Sequence, residues 1–357
     1  MFIRIFFSLF LLLTLVGEGI AANATQASTS LVGKWGLTSL DHRNDGTWRS
    51  KRGMVTFNSD GTGTDTYYSN DSGVVDSGTQ NFTYSIASNQ DGSFTLTTYS
   101  SKTETHKIVF SDDGTMFIGD GTADNADTTE QKLKVAIKMD TSKTYTNADL
   151  SGDYYTMGYE YNSTYTAPPN GNGTHMAISS ITNFDGIGNY TYYGTANSDG
   201  TIWYDSGCGG SSTYSINSDG SVSIGGCSGG IGDFGYENGK VFIGAVPQST
   251  DQWVSYVSLK KGDTTYSTAG AAGTWAIAGF GDSNGTSFNA DFGTITCDSS
   301  GNCTYSFKNQ TDGSITYPSG SFTISVSSDG SMTTSLTSGA PSYAAAVCNN
   351  GNTLNNQ

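Results

Sequence analysis

Gly33-Lys34-Trp35 opens a stretch of sequence that occurs three times in this chain of 357 residues. The later copies open with Gly152-Asp153-Tyr154 and Gly273-Thr274-Trp275, so the three starts lie 119 and 121 residues apart. Each copy carries the same turn further along, at Asp91-Gly92-Ser93, Asp219-Gly220-Ser221 and Asp329-Gly330-Ser331. Landmarks that recur in one order at a fixed period are typical of a repeat protein. We therefore predict three tandem modules.

These landmarks also set the predicted boundaries. Module 1 covers residues 31–140, module 2 residues 150–261 and module 3 residues 272–357. The last strand-like run of module 1, Leu133–Lys138, matches Val254–Lys260 of module 2, and module 3 has no counterpart to it. We expect an incomplete third module, which is either frayed or truncated, or is completed by a strand of another chain.

Short runs of alternating apolar and polar residues fill each module. Val55-Thr56-Phe57, Phe94-Thr95-Leu96 and Val222-Ser223-Ile224 show the period of two that is typical of strands with one buried face. Asp-Gly and Asn-Gly pairs separate the runs and supply the positive φ angles of tight hairpin turns. The sequence thus predicts an all-β protein of antiparallel meanders, with eight-stranded up-and-down barrels as the leading architecture. Tandem β-sandwiches and a propeller are the alternatives.

The Gly-x-Trp starts at Gly33/Trp35 and Gly273/Trp275 resemble those of the calycin superfamily, the lipocalin and avidin type of barrel. Module 2 has Tyr154 in place of the tryptophan. The resemblance implies closed barrels in which Trp35, Tyr154 and Trp275 are candidates for closing one end, while the other end admits a small ligand. A ligand-binding barrel of this kind would leave an apolar opening opposite Trp35. Gly36-Leu37 follows Trp35 where avidins carry polar biotin contacts, so biotin binding is not implied.

Residues 1–22 have the pattern of a secretory signal peptide. Arg4 precedes an apolar run from Ile5 to Val16, and small residues end the segment at Ala21 and Ala22. The run is too short to cross a bilayer comfortably, so we expect an exported protein that is secreted, periplasmic or associated with the cell surface, and not membrane-spanning. The formal net charge of −16 argues against nucleic acid as a partner.

Export makes disulfide bonds possible. Cys297 and Cys303 flank a turn sequence, and Cys208 and Cys227 bracket two strand-like runs. We predict these two pairs, although spacing alone does not determine connectivity, and Cys348 is left over.

No catalytic motif is found. The three histidines share no local context, no Gly-x-Ser-x-Gly elbow is present, and the many Asp-Gly pairs explain most acidic residues as turn formers. We therefore predict no catalytic residues, no metal site with His or Cys ligands and no cofactor. Structural calcium is the one exception considered, because two groups of oxygen ligands lie close together in sequence, namely Asp120, Asp124, Asn125 and Asp127, and Asn58, Asp60 and Asp65.

The resulting hypothesis is an exported, non-enzymatic binding protein built of repeated β-barrel modules. Its ligand and ligand-binding residues remain unassigned, with a small molecule or a glycan as the possible partner. A glycan could stack on the tyrosines that crowd module 2, which are Tyr154, Tyr155, Tyr159, Tyr161, Tyr165, Tyr190, Tyr192 and Tyr193. The alternatives are a structural or adhesive extracellular protein and a secreted glycan-active enzyme.

Overall fold

The structure is a computed structural model in which strands dominate the chain. It describes residues 7–15, 30–43, 46–89, 93–101, 103–111, 113–122, 131–163, 174–198, 201–205, 212–225, 234–245, 252–262, 265–282, 288–311, 314–328, 330–335 and 345–346. Within these ranges, no helix has the length and apolar character needed to cross a membrane. In chain order the strands are β1 (Phe7–Leu15), β2 (Gly33–His42), β3 (Trp48–Phe57), β4 (Thr62–Asp71), β5 (Val74–Ser88), β6 (Phe94–Tyr99), β7 (Thr103–Phe110), β8 (Met116–Thr122), β9 (Gln131–Met139), β10 (Ser151–Asn162), β11 (Thr174–Asp185), β12 (Asn189–Ser198), β13 (Thr201–Asp205), β14 (Ser212–Ile216), β15 (Ser221–Ile224), β16 (Phe234–Glu237), β17 (Val241–Ala245), β18 (Gln252–Lys260), β19 (Gly273–Asp282), β20 (Phe288–Cys297), β21 (Asn302–Thr311), β22 (Ser314–Thr316), β23 (Ser319–Val326), β24 (Ser331–Ser335) and β25 (Ala345–Ala346).

The predicted fold class is confirmed: the protein is all-β, with two closed antiparallel barrels and a third, incomplete sheet. Barrel 1 runs from β2 to β9, and β9 pairs with β2 to close it. Barrel 2 contains β10–β12 and β14–β18; β18 and β11 both pair with β10, and β11 pairs with β12, which closes the ring. β13 forms a hairpin with β12 outside this ring.

The third sheet is open, with the order β1-β19-β20-β21-β23-β24-β25 and β22 paired with β21. β1 lies antiparallel to β19, and Thr14 is opposite Trp275. In the closed barrels the equivalent partners are Lys138 opposite Trp35 and Lys260 opposite Tyr154. β1 therefore occupies the place that the last strand of each closed barrel takes. The prediction that residues 1–22 are a signal peptide stays a prediction.

The Asp-Gly pairs that begin at Asp60, Asp113 and Asp219 form the tight turns expected of them. Asp91, Gly92 and Asp329 lie outside the described residues. At the β3–β4 turn, Asp60 Oδ1 accepts hydrogen bonds from the backbone N–H and the hydroxyl of Thr62, at 2.9 and 2.6 Å. Gly61 takes a φ of 81°, which is unfavourable for residues with a Cβ. Asp219 and Ser221 repeat the arrangement at the β14–β15 turn. The turn role of these aspartates follows directly from the Asx geometry.

The barrels do not stand apart, since their outer faces share one apolar core. Trp48 of β3 stacks on Tyr159 and Tyr161 of β10, with ring centroids 5.8 and 5.1 Å apart. The strands at this contact are buried on both faces, as in the run Leu133–Met139 of β9. The buried residues of this shared core come from all three sheets and from the segment between β9 and β10. They are Leu40, Trp48, Val109, Met116, Ile118, Leu133, Val135, Ile137, Met139, Tyr145, Met157, Tyr159, Tyr236, Val241, Ile243, Trp253, Val257, Ala278 and Phe292.

Candidate functional site

The inward side chains of barrel 1 form an apolar floor at the end where the chain enters. Alternate residues of a strand point to opposite faces, so every second residue of β2–β9 points into the barrel. Trp35 is fully buried there, and its indole N–H donates to the backbone oxygen of Leu31 at 2.7 Å. The Lys138 ammonium lies 5.4 Å from the Trp35 ring. The floor comprises Leu31, Trp35, Leu37, Val55, Phe57, Phe82, Phe94, Leu96, Ile108, Phe110, Phe117 and Ala136.

The other two barrel-closing candidates occupy the corresponding positions in their sheets. The Trp275 indole N–H donates to the backbone oxygen of Ala271 at 2.9 Å, which repeats the contact of Trp35. Tyr154 is fully buried and packs edge-on against Phe184 at 5.4 Å. Its hydroxyl has no hydrogen-bond partner among the described residues. The phenol therefore fills the tryptophan's place without reproducing its hydrogen bond.

Above its floor, barrel 1 encloses a cavity of about 690 Å³, which we call the calyx. The lower wall of the calyx is apolar, whereas its upper wall carries charged side chains of both signs. The charged and histidine side chains that line it are Arg49, Lys51, Asp65, Asp71, Asp76, Glu104, His106 and Lys134. The apolar opening expected opposite Trp35 is therefore wrong, because the half of the barrel away from the floor is polar.

Glu104, His106 and Lys134 form an ion cluster at the boundary between floor and charged wall. Lys134 Nζ lies 2.7 Å from His106 Nε2 and 3.4 Å from Glu104 Oε2. Burial and the charge of Lys134 lower the pKa of His106 to about 3, so the ring is neutral and accepts a hydrogen bond from the ammonium. The charge of Lys134, with that of Lys132, holds the pKa of Glu104 far below its usual range. Glu104 is therefore ionised at neutral pH.

Two further ion pairs line or support the charged wall. Lys51 pairs with Asp65 and lies 4.9 Å from the centre of the Tyr67 ring. Behind the ion cluster, Arg49 pairs with the fully buried Asp41 at 2.6 Å. Its surroundings lower the pKa of Asp41, because the attraction of Lys132 and Arg49 outweighs the desolvation that would raise it. The cations and anions of the calyx are thus largely matched by one another.

The calyx opens beside the β4–β5 hairpin. β5 pairs with β4 over Val74–Thr83, but with β6 only over Thr83–Ser88. The pairing between β5 and β6 thus stops at Thr83, and Val74, Asp76 and Gln80 line the calyx beyond that point. The exposed fraction of Val74 is 68%. We take this side of the barrel as the entrance.

The structure brings together one of the two predicted cysteine pairs. Cys297 and Cys303 face each other across the β20–β21 hairpin and form a disulfide bond. Cys208, Cys227 and Cys348 lie outside the described residues.

The predicted calcium ligands are not brought together where they are described. Asp60 is a turn residue held by Thr62, whereas Asp65 points into barrel 1 and pairs with Lys51. Asp124, Asn125 and Asp127 lie outside the described residues, as does the side chain of Asp120. Across the ranges that the structure describes, no three His, Cys, Asp or Glu side chains are grouped to hold a metal ion.

Most of the tyrosines considered for glycan stacking serve as packing residues. Tyr154 lies inside barrel 2, Tyr159 lies in the core between the barrels, and Tyr155 packs against Tyr266 at 6.4 Å. Tyr193 is the exposed exception, with an exposed fraction of 62%. Tyr165 lies outside the described residues.

The charged wall was missed at the sequence level, although a signal for it exists. On β2 the inward positions Asp41, Ser39 and Leu37 change from charged to polar to apolar towards Trp35. On β9, Lys132, Lys134 and Ala136 stand at alternate positions, so their side chains point to the same face of the strand. Charges that share the phase of the core residues point into the barrel. This alternation, taken together with the closure of the barrel, would have placed these charges inside barrel 1.

The comparisons with known proteins agree with this geometry. Residues 31–118 match the family model of a lipocalin-like domain, which covers about a quarter of the chain and most of barrel 1. No curated protein matches the chain. Together with the closed ring of eight antiparallel strands, the match confirms the resemblance inferred from Gly33 and Trp35: barrel 1 has a lipocalin-like fold.

Proposed function

We propose that the protein is an exported, non-enzymatic binding protein that holds one small molecule in the calyx of barrel 1. The observation that carries the proposal is the open-mouthed cavity of about 690 Å³ between an apolar floor and a charged wall. Ligand pockets of proteins commonly have volumes of about 300–1,000 Å³ and combine apolar walls with a few fixed polar groups. A lipocalin-like barrel is itself a binding fold.

The two halves of the calyx indicate an amphipathic ligand. Leu37, Phe57 and Phe117 offer only apolar contacts at the floor, where burial of an apolar group is favourable. Lys134 and Asp65 offer charged hydrogen-bonding groups further up. The ligand should therefore place its apolar end towards Trp35 and its polar end towards the entrance.

The alternative of a glycan-active enzyme is less well supported. Such enzymes need one carboxylic acid that can donate a proton beside a second carboxylate. Glu104, which lines the calyx, is held ionised by Lys134 and cannot donate a proton at neutral pH. Among the Asp-Gly turns that the structure describes, Asp60, Asp113 and Asp219 accept hydrogen bonds within their own turns.

The binding proposal can be tested with anilinonaphthalene sulfonate, a fluorescent probe with an apolar body and a polar end. Thr98 lines the calyx from β6, while the adjacent Thr97 faces the other side of the strand. We expect Thr98→Trp to fill the calyx and weaken probe binding about tenfold or more, which is about 1.4 kcal/mol. Thr97→Trp is the matched control and should bind as the unaltered protein does.

Native mass spectrometry of the exported protein gives an independent measurement. We expect a retained small molecule that the Thr98→Trp variant lacks and the Thr97→Trp variant keeps. Equal probe binding by both variants would contradict a site inside barrel 1. Loss of binding in both, with normal circular dichroism, would also contradict it.

A further inference from the structure

Lys134 is unusual among the cations of barrel 1 because its amine lies at the edge of the apolar floor. It sits on β9 one inward position from Ala136, a floor residue, and its side chain is 15% exposed. Lys134 lines the calyx together with Leu96, Ile108 and Phe117. A ligand resting on the floor would therefore bring its nearest polar atom to this amine.

The neighbours of Lys134 favour its neutral form more than is usual for a lysine. The pKa of Lys134 falls to about 8, and burial is the largest cause of this decrease. The positive charges of Lys132 and Lys51 lower the pKa further, whereas the negative charges of Glu104 and Asp41 raise it. The charged and titratable groups around it are Asp41 on β2, Lys51 on β3, Glu104 and His106 on β7, and Lys132 on β9, while β8 places Gly119 opposite it. An ordinary exposed lysine has a pKa of about 10.4. At about pH 7.5 the unprotonated fraction of such a lysine is therefore on the order of a hundredfold smaller than that of Lys134.

The hydrogen-bond geometry holds the amine in place in both protonation states. As an ammonium, Lys134 donates to the neutral His106 ring, 2.7 Å away. As a free amine, it can accept a hydrogen bond from the same nitrogen in the other tautomer of the ring. The carboxylate of Glu104, 3.4 Å away, remains an ion partner for any cation formed at this nitrogen.

We propose that Lys134 captures a carbonyl ligand covalently, forming an imine with an apolar aldehyde that occupies the calyx. This inference rests on the proposed function, since it names the ligand class and the residue that holds it. The ammonium first releases a proton to solvent, and its lone pair attacks the carbonyl carbon. A C–N bond forms as the C=O double bond becomes a C–O single bond, and the proton that the nitrogen gives up goes to this oxygen to form a hydroxyl group. A proton taken back from solvent then lets the hydroxyl group leave as water while the C=N bond of the protonated imine forms. No oxidant or reductant takes part, and the protonated imine keeps the positive charge that pairs with Glu104.

The test uses the full-length exported protein, cinnamaldehyde as the probe and sodium cyanoborohydride to trap any imine as a stable amine. Peptide mapping by mass spectrometry then identifies the modified lysine. We expect the cinnamyl group on Lys134 at a rate at least tenfold above that at any exposed lysine. The rate of modification at Lys134 should rise with pH and reach half of its maximum near pH 8, because the unprotonated amine is the form that reacts. The mapping locates the site in the unaltered protein and does not depend on the folding of a variant.

Two variants and a matched compound sharpen the result. Lys134→Met should abolish the fast adduct, whereas Lys240→Met, which alters an exposed lysine outside barrel 1, should leave it unchanged. Glu104→Gln removes an attraction that raises the pKa of Lys134, so the midpoint should move to lower pH. A purely structural role of Glu104 would not move that midpoint.

Cinnamyl alcohol has nearly the same shape as the probe but no carbonyl group. If the alcohol displaces anilinonaphthalene sulfonate while the aldehyde does not modify Lys134, the imine proposal is overturned and the binding function stands. Modification spread evenly over the exposed lysines would also overturn it. Failure of both compounds to displace the sulfonate, together with no adduct at Lys134, would count against both proposals.

Discussion

Tyr154 and Tyr214 lie in one apolar cluster inside barrel 2, but their hydroxyl groups have different surroundings. The Tyr214 hydroxyl donates to the backbone oxygen of Leu150 at 2.6 Å. The Tyr154 hydroxyl is buried without a partner among the residues that the structure describes. A buried polar group without a hydrogen bond costs about 1–3 kcal/mol, whereas a satisfied one contributes about 1 kcal/mol. We expect Tyr154→Phe to raise the free energy of unfolding by about 1 kcal/mol and Tyr214→Phe to lower it by about as much.

Urea denaturation of both variants measures the difference. Each substitution removes one oxygen atom from the same cluster, so the two variants are matched in size and location. A Tyr154→Phe variant that is as unstable as Tyr214→Phe would show that the Tyr154 hydroxyl is satisfied in solution.

Glu237, at the β16–β17 turn, makes stability depend on pH. Burial raises the pKa of its carboxyl well above the ordinary value of 4.5, and the backbone hydrogen bond from Gly239 opposes this only in part. The folded state therefore binds a proton that the unfolded state releases. The free energy of unfolding that Glu237 contributes is complete below pH 4.5. It is lost as the pH rises towards the pKa of Glu237 in the folded state, by up to about 1.4 kcal/mol per pH unit. We expect Glu237→Gln to remove this loss and to be more stable than the unaltered protein at neutral pH.

Asp149 provides a control of opposite sign. Burial alone would raise the pKa of Asp149, but Lys143, 2.6 Å away, lowers it. Its contribution is present at neutral pH and is lost on acidification, so Asp149→Asn should be less stable at neutral pH. Free energies of unfolding measured between about pH 2 and 8 distinguish the two cases, because the Asp149 contribution is lost below its ordinary pKa of 3.8, whereas that of Glu237 is lost above 4.5. A difference in stability between Glu237→Gln and the unaltered protein that stays constant over this pH range would contradict the assignment for Glu237.

At the scale of elements, the strands and turns that follow simple local rules are predictable from sequence. The β14–β15 hairpin is an example, because Asp219-Gly220 supplies both the Asx hydrogen bonds and the positive φ of the turn. The repeat of Gly33 and Trp35 at later positions likewise predicts the barrel starts. Local rules work here because the turn and its neighbouring strands decide the conformation without help from distant residues.

β9 shows where local rules fail. Its alternation predicts one buried face, yet Val135 and Ile137 face the core between the barrels while Ala136 belongs to the floor of barrel 1. A strand buried on both faces has a nearly continuous apolar run, and the sequence Leu133-Lys134-Val135-Ala136-Ile137 is broken only by a lysine. That lysine looks like a solvent-facing residue until the closed barrel places it inside the calyx. The candidate site therefore depends on barrel closure, which no single strand encodes.

At the scale of the whole molecule, the shared core couples the barrels. Ile243 of β17 is fully buried in this core, and β17 lies against β2, β3 and β9 of barrel 1. Its neighbours Phe242 and Gly244 face the interior of barrel 2, where Tyr256 packs against both. Ile243 thus points out of its own barrel and stabilises the contact with barrel 1. Loss of such a side chain should weaken both barrels together.

We expect Ile243→Ala to lower the free energy of unfolding by about 2–4 kcal/mol, since truncation of a buried isoleucine leaves a cavity. Because the core is shared, hydrogen exchange should accelerate in β2 and β9 of barrel 1 as well as in β17 and β18. Ile187→Ala, at a site with an exposed fraction of 79%, is the control and should change stability by less than about 0.5 kcal/mol. If exchange in barrel 1 stayed unchanged in Ile243→Ala while barrel 2 opened, the barrels would be independent units that merely touch. Acceleration in both barrels would mean that the stability of the calyx depends on residues of barrel 2 that never line it.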